Sequence, residues 1–186
     1  MLAYVFYHWK RNEVSASDYE QRLRGFHRAL TDAPSPGFSQ SWCVSLAGAP
    51  WANAGGDSFE DWYLVGGSAD LDPLNDAAIS ASRQAPHDKA ASAAAGGTAG
   101  LYRLKLGTAL TAPRFSAWFG KPGDWSYAQL YERLQGVTGG ATALWVRQMV
   151  LGPAFEFCLH SNSPLELPAG ITAQSFDTRA VFPQGA

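Results

Sequence analysis

Strand signals lie over residues 2–9, 38–46, 60–66 and 101–106: the first and third are aromatic-rich apolar runs, and in the second hydrophobic and polar positions alternate with period two. Between the first two runs the period changes to 3.6. Tyr19, Leu23, Phe26 and Leu30 fall on one helical stripe, with Arg22, Arg24 and Arg28 toward the other side. Ser17-Asp18-Tyr19-Glu20 fits a capping box at the start of this helix, and Pro34-Ser35-Pro36-Gly37 ends it. In the second strand Phe38, Gln40, Trp42 and Val44 share a face. A second helix is expected over 73–82, opened by Asp72-Pro73 and left through Arg83-Gln84-Ala85-Pro86. Alanine-rich 87–95 adds a turn or two before Gly96-Gly97. The first half thus reads β-α-β-β-α-β, the ferredoxin-like order.

The same succession then begins again. Phe115–Phe119 is a strand signal, and Ser126-Tyr127-Ala128-Gln129 is a second capping box. Ala143–Val150 and Ala154–His160 suit a hairpin around Leu151-Gly152-Pro153. Ser163-Pro164-Leu165 repeats the helix start of Asp72-Pro73-Leu74, and that helix is cut short by Pro168 and Gly170. Residues 171–176, with an extension toward 182, supply the last strand. Short stretches correspond as well: Tyr4–Tyr7 with Phe115–Trp118, Lys10 with Lys121, and 19–25 with 131–136 at a shifted offset. The order of signals implies an internal duplication, residues 1–110 and 111–186, in one compact unit.

Composition narrows the class. Seven tryptophans in a chain that is 46% hydrophobic and only 16% charged exclude disorder over most of the length. A net charge of −2 without a basic stripe argues against a nucleic-acid partner. No apolar run approaches the ~18 residues of a membrane span. A secretory signal is not expected either, since the chain enters a strand pattern at once. Cys43 and Cys158 are far apart in strand contexts and read as buried thiols, which makes the cytoplasm the expected compartment.

This layout resembles the dimeric α/β-barrel superfamily, which includes the antibiotic-biosynthesis monooxygenases and the EthD-like and NIPSNAP-like proteins. The resemblance rests on element order and aromatic strand openings. It implies two ferredoxin-like sheets meeting face to face, here within one chain as a monomeric pseudo-dimer, with further homodimerisation left open. A β-α-β-β-α-β unit covers only one sheet face, so the bare aromatic face requires a partner. The space between the sheets is then either packed or a ligand cavity.

No phosphate-binding loop, HExxH, CxxC or GxSxG motif is present, so no motif-defined metal or cofactor site is expected. The Gly-Gly pairs at 55–56, 66–67, 96–97 and 139–140 read as turns and helix ends. His87 stands in a segment without a counterpart in the second half and is the first candidate acid or base, with His8 the second. Since His8 alternates with Tyr7 and Trp9, it faces away from the core if they face it. His27 reads as a boundary residue and His160 as a strand end. Tyr7, Trp9, Arg83, Trp118 and Arg147 are candidate lining for a small-molecule site. Asp57, Glu60 and Asp61 read as solvated acids beside a loop. Two functions remain. One is a cofactor-free or haem-assisted enzyme, monooxygenase- or isomerase-like, on a hydrophobic or aromatic metabolite. The other is a non-catalytic ligand-binding or interaction protein. Some barrels of the superfamily hold haem through a histidine, so haem stays open.

Overall fold

Strand β1 (Leu2–Lys10) has a neighbour on each edge, β3 (Asp57–Val65) and β4 (Ala94–Gly107), both antiparallel. Such a strand buries both faces when helices cover one side and other strands curl over the other. Its alternate residues therefore enter two different interiors. The computed structural model of the chain describes residues 1–52, 56–137 and 142–184. Within them β2 (Phe38–Ala47), β5 (Phe115–Phe119), β6 (Thr142–Arg147), β7 (Phe157–Ser161), β8 (Ala173–Asp177) and β9 (Arg179–Phe182) complete one antiparallel sheet. Its order is β8-β5-β7-β6-β4-β1-β3-β2-β9.

The sheet curls into a nearly closed barrel. Strands β8 and β9 are consecutive in sequence yet lie at opposite ends of the sheet, β8 on β5 and β9 on β2. Only Thr178 separates them, so the chain itself ties the two ends together. Thr178 donates its N–H to the Arg114 carbonyl at 2.9 Å and its hydroxyl to that of Pro113. The single final strand expected over 171–182 is thus two. A helix was expected at 163–168, but that segment carries none and packs Leu165 and Leu167 against the outer face of the second half. With Pro164 and Pro168 four residues apart, no helical turn can complete its hydrogen bonds there.

Among the described residues four α-helices lie outside the barrel. Helix α1 (Ala16–Asp32) buries Tyr19, Leu23, Phe26, His27 and Leu30. Its cap is Ser15, whose hydroxyl accepts from the Asp18 N–H at 3.1 Å, two residues before the expected Ser17 box. Glu20, expected to close that box, instead pairs with Arg24 and Arg179. Helix α4 (Tyr127–Gln135) starts at Ser126 with the reciprocal Gln129 box the sequence indicates. Its Leu130 and Leu134 cover Ala117, Phe119 and Leu159.

Between β3 and β4 the chain forms two helices, α2 (Leu71–Ala78) and α3 (Ala81–Ala93), and Arg83–Pro86 belongs to α3 rather than ending a helix. Pro86 sits in the second turn of α3, where it removes a single backbone bond. Arg83 fastens this pair: its guanidinium donates to the carbonyls of Ala77, at 2.6 Å, and Ala33. Arg83→Ala should lower stability by about 1–3 kcal/mol, read by urea unfolding, because two carbonyls lose a charged donor.

Gly96-Gly97, expected at a helix end, lies within β4. A Cβ on Gly97 would meet the Phe6 ring at 2.4 Å, and one on Gly96 the Trp9 ring at 2.6 Å. These glycines let the aromatic rings of β1 lie across the neighbouring strand. Gly55, Gly139 and Gly140 lie outside the described residues.

Candidate functional site

The barrel interior takes Tyr7 and Trp118 from the expected site, and Trp9 packs at its margin. Trp42, Trp62 and Trp145 join them, with Trp42 and Trp62 stacked at 5.6 Å and Trp145 tilted against Trp62 at 5.3 Å. The interior of the barrel is therefore largely aromatic packing. Phe38 leaves the face it was expected to share with Trp42, because the β2–β3 register shifts between Phe38 and Gln40.

A carboxyl and an imidazole also lie in this interior. Glu60 accepts from the Trp62 indole N–H at 3.2 Å, and burial pushes its carboxyl up to about 8. His160 packs 4.5 Å from Trp62, and burial pushes its imidazole down to about 3. His160 stands near the end of its strand as expected, whereas Glu60, expected among solvated acids, is buried. Strand β3 lies between β1 and β2, so Glu60 and Asp61 are buried on opposite faces instead of being solvated.

The helix-facing side holds a denser polar group. His8 from β1, Asp61 and Tyr63 from β3, and Ser41 and Cys43 from β2 all face α1, which lays Tyr19 and His27 over them. His27 Nε2 lies 3.0 Å from Asp61 Oδ1, and its Nδ1 is 2.8 Å from the Ser41 hydroxyl. His8 Nε2 contacts Asp61 Oδ2 at 3.1 Å, out of hydrogen-bond alignment, and its Nδ1 is 2.6 Å from the Tyr19 hydroxyl. Tyr63 donates its hydroxyl to Asp61 Oδ2 at 2.9 Å.

Burial alone would raise the Asp61 carboxyl. The charges of the neighbouring His8 and His27, with the His27 hydrogen bond, instead hold it well below the usual aspartate range. Both imidazoles are clamped between rings. His8 stacks between Phe6 and Phe59, and His27 between Tyr63 at 5.3 Å and Phe182 at 5.2 Å.

A cavity of about 540 Å³ lies over this group, between α1, the α2–α3 pair and the sheet. Tyr4, Phe6, His8, Phe26, Asp61 and His87 are among its walls, and Leu74, Ala78 and Ile79 form the apolar side toward α2. His87 is one-third exposed, stands 5.3 Å from the Phe26 ring and holds Asp88 at 3.1 Å. Of the residues expected to form a site, only His8 and His87 reach this cavity. Arg83 is the brace described above. Arg147 donates to the carbonyls of Gly152, at 3.2 Å, and Ala154, at 2.6 Å, and so holds the loop between β6 and β7.

Asp61, His27, Tyr19 and Tyr63 are the additions that sequence reading missed. His27 was within reach of it: Tyr19, Leu23 and His27 are successive i, i+4 positions on the buried stripe.

No family model matches the chain, and no curated protein matches it. Among solved structures, the chain is similar to a crystal structure of an anthrone oxidase-like protein, at 9% identity. The similarity covers 97% of this chain and 93% of that one, with a TM-score of 0.43. Among the described residues no helix is long and apolar enough to cross a membrane.

Proposed function

We propose that the protein binds a small, largely apolar molecule with one polar group in the helix-side cavity. The observation that carries this reading is a cavity of about 540 Å³ whose apolar walls converge on His8 and Asp61. Ligand sites commonly have this form: mostly hydrophobic surface with a few fixed polar groups. Asp61 is already saturated by His27, Tyr63 and the His8 contact, so it orients the site rather than acting as its base. Tyr19 and His8 are the polar groups a ligand would meet, and a Tyr19–His8–Asp61 series is the arrangement from which isomerase-type proton transfer would work.

Haem is not the ligand this site favours. His27 does not line the cavity, and the two ring nitrogens of His8 already face Tyr19 and Asp61, so neither ring presents a free nitrogen to a porphyrin iron. The repeated strand order, β4-β1-β3-β2 and β8-β5-β7-β6, supports the further reading of residues 1–110 and 111–186 as two ferredoxin-like modules in a monomeric pseudo-dimer. In that reading the helix pair α2–α3, present only in the first module, gives that module its cavity.

Calorimetric titration with 2-naphthol and with naphthalene tests the binding reading. The hydroxylated compound should bind more tightly, and Ala78→Trp, which fills the cavity away from the polar group, should weaken it at least tenfold. Equal affinity in Ala78→Trp, with the fold intact by circular dichroism, would remove the cavity as the site.

A further inference from the structure

Cys43 has no part in the small-molecule reading, yet it lies directly across from Asp61 in the β2–β3 register. One ligand atom each from His27, Cys43 and Asp61 lies within 4.8 Å of the others, and all three residues are buried. We propose that these three side chains bind a divalent transition-metal ion of the zinc type. An imidazole nitrogen, a thiolate and a carboxylate oxygen form the mixed donor set such ions take, and three protein ligands leave a coordination position open.

Charge points the same way. Among the described residues, Asp61 makes its ion-pair contacts with His8 and His27, and neither is a fixed cation. A divalent ion with the Asp61 carboxylate and a Cys43 thiolate is a neutral unit, which is the form a buried site accommodates at least cost. The protons balance with the groups present. Cys43 releases its S–H proton to solvent. The His27 proton moves from Nε2 to Nδ1, where the Ser41 oxygen 2.8 Å away changes from donor to acceptor. For an uncharged imidazole this exchange leaves the ring uncharged, and one proton leaves per ion bound.

The surroundings are already arranged for this role. Metal-bound histidines commonly donate their other ring nitrogen to a fixed acceptor, as Ser41 provides for His27. Tyr63 and Phe182 hold the His27 ring on both faces, and Tyr63 with His8 fixes the second oxygen of Asp61. A tetrahedral ion at about 2.0–2.3 Å from its donors asks only small adjustments of side chains already this close. Asp61 also lines the cavity, which gives the ion a way in.

Cobalt(II) titration of the chelator-treated protein tests the site without any small-molecule ligand, so its outcome is separate from that of the naphthol experiment. One equivalent of cobalt should produce a near-ultraviolet thiolate-to-metal band that zinc then displaces. Cys43→Ser should abolish the band, Asp61→Asn should weaken binding at least tenfold, and Cys158→Ser should leave both unchanged. A folded wild-type protein that shows no band, or a band that survives Cys43→Ser, overturns the proposal. If Cys43→Ser does not fold, X-ray absorption at the zinc edge of the wild-type protein decides. A sulfur scatterer at about 2.3 Å upholds the site, and a shell of nitrogen and oxygen alone, or no bound zinc, overturns it.

Discussion

Asp61→Ala should lower the unfolding free energy by about 3–5 kcal/mol, the range seen when one member of a buried charged group is removed. The carboxylate is the common acceptor of this side of the fold. It accepts from His27 and Tyr63 and meets His8, drawing together β1, β3 and α1. Removing it leaves donors facing each other in a buried space, and each unmet donor carries its own desolvation cost. Tyr63→Phe is the matched comparison, because it deletes one donor and leaves the acceptor served by the histidines. That change should cost about 1 kcal/mol. Urea unfolding of the two variants, with slopes compared to the wild type, checks the difference. Similar losses in both would mean that Asp61 is one hydrogen-bond partner among several and not the centre of the group.

The centrality of Asp61 shows where sequence reading stops. The strands and α1 were legible from local pattern: Tyr19, Leu23, Phe26 and Leu30 on one helical stripe, an aromatic apolar run in β1 and alternating positions in β2. Which strands are central is not written in any one of them. Glu60 and Asp61 beside a loop have the look of solvated acids. They become buried on opposite faces only because β1 and β2 flank β3. His8 was narrower in scope: its side followed from Tyr7 and Trp9, and the structure places it on the helix side with Phe6 as that alternation implies.

The candidate lining failed for a related reason. Tyr7 and Trp118 are rich in aromatic surface, but the barrel uses that surface to pack its own interior. Arg83 and Arg147, attractive as anion ligands, spend their donors on backbone carbonyls at the ends of helices and loops. His87 was singled out because its segment is unmatched in the second half, and the α2–α3 pair it belongs to does form one wall of the cavity. An element present in one half and missing from the other thus located a wall that no motif marked.

The barrel interior carries the second large effect, a stability profile set by Glu60 and His160 in opposite directions. The Glu60 carboxyl is raised from 4.5 to about 8 on folding, so its contribution is complete below pH 4.5 and is lost as pH rises toward 8. The His160 imidazole is lowered from 6.5 to about 3, so its contribution is complete above pH 6.5 and is lost as pH falls toward 3. Each slope is about 1.4 kcal/mol per pH unit. Between pH 4.5 and 6.5 both groups titrate with opposite sign and these two slopes cancel. Thermal unfolding should therefore show a plateau there, with the midpoint falling by about 3–6 °C per pH unit on either side. The variants separate the limbs. Glu60→Gln should abolish the alkaline fall, leaving a midpoint that climbs to pH 6.5 and stays level. His160→Asn should remove the acid fall above about pH 4, where Asp61 does not yet contribute, leaving a midpoint that climbs steadily as pH drops from 8 to 4.5. An alkaline fall that persists in Glu60→Gln would show that Glu60 does not carry the proton, and that the aromatic interior admits its charge.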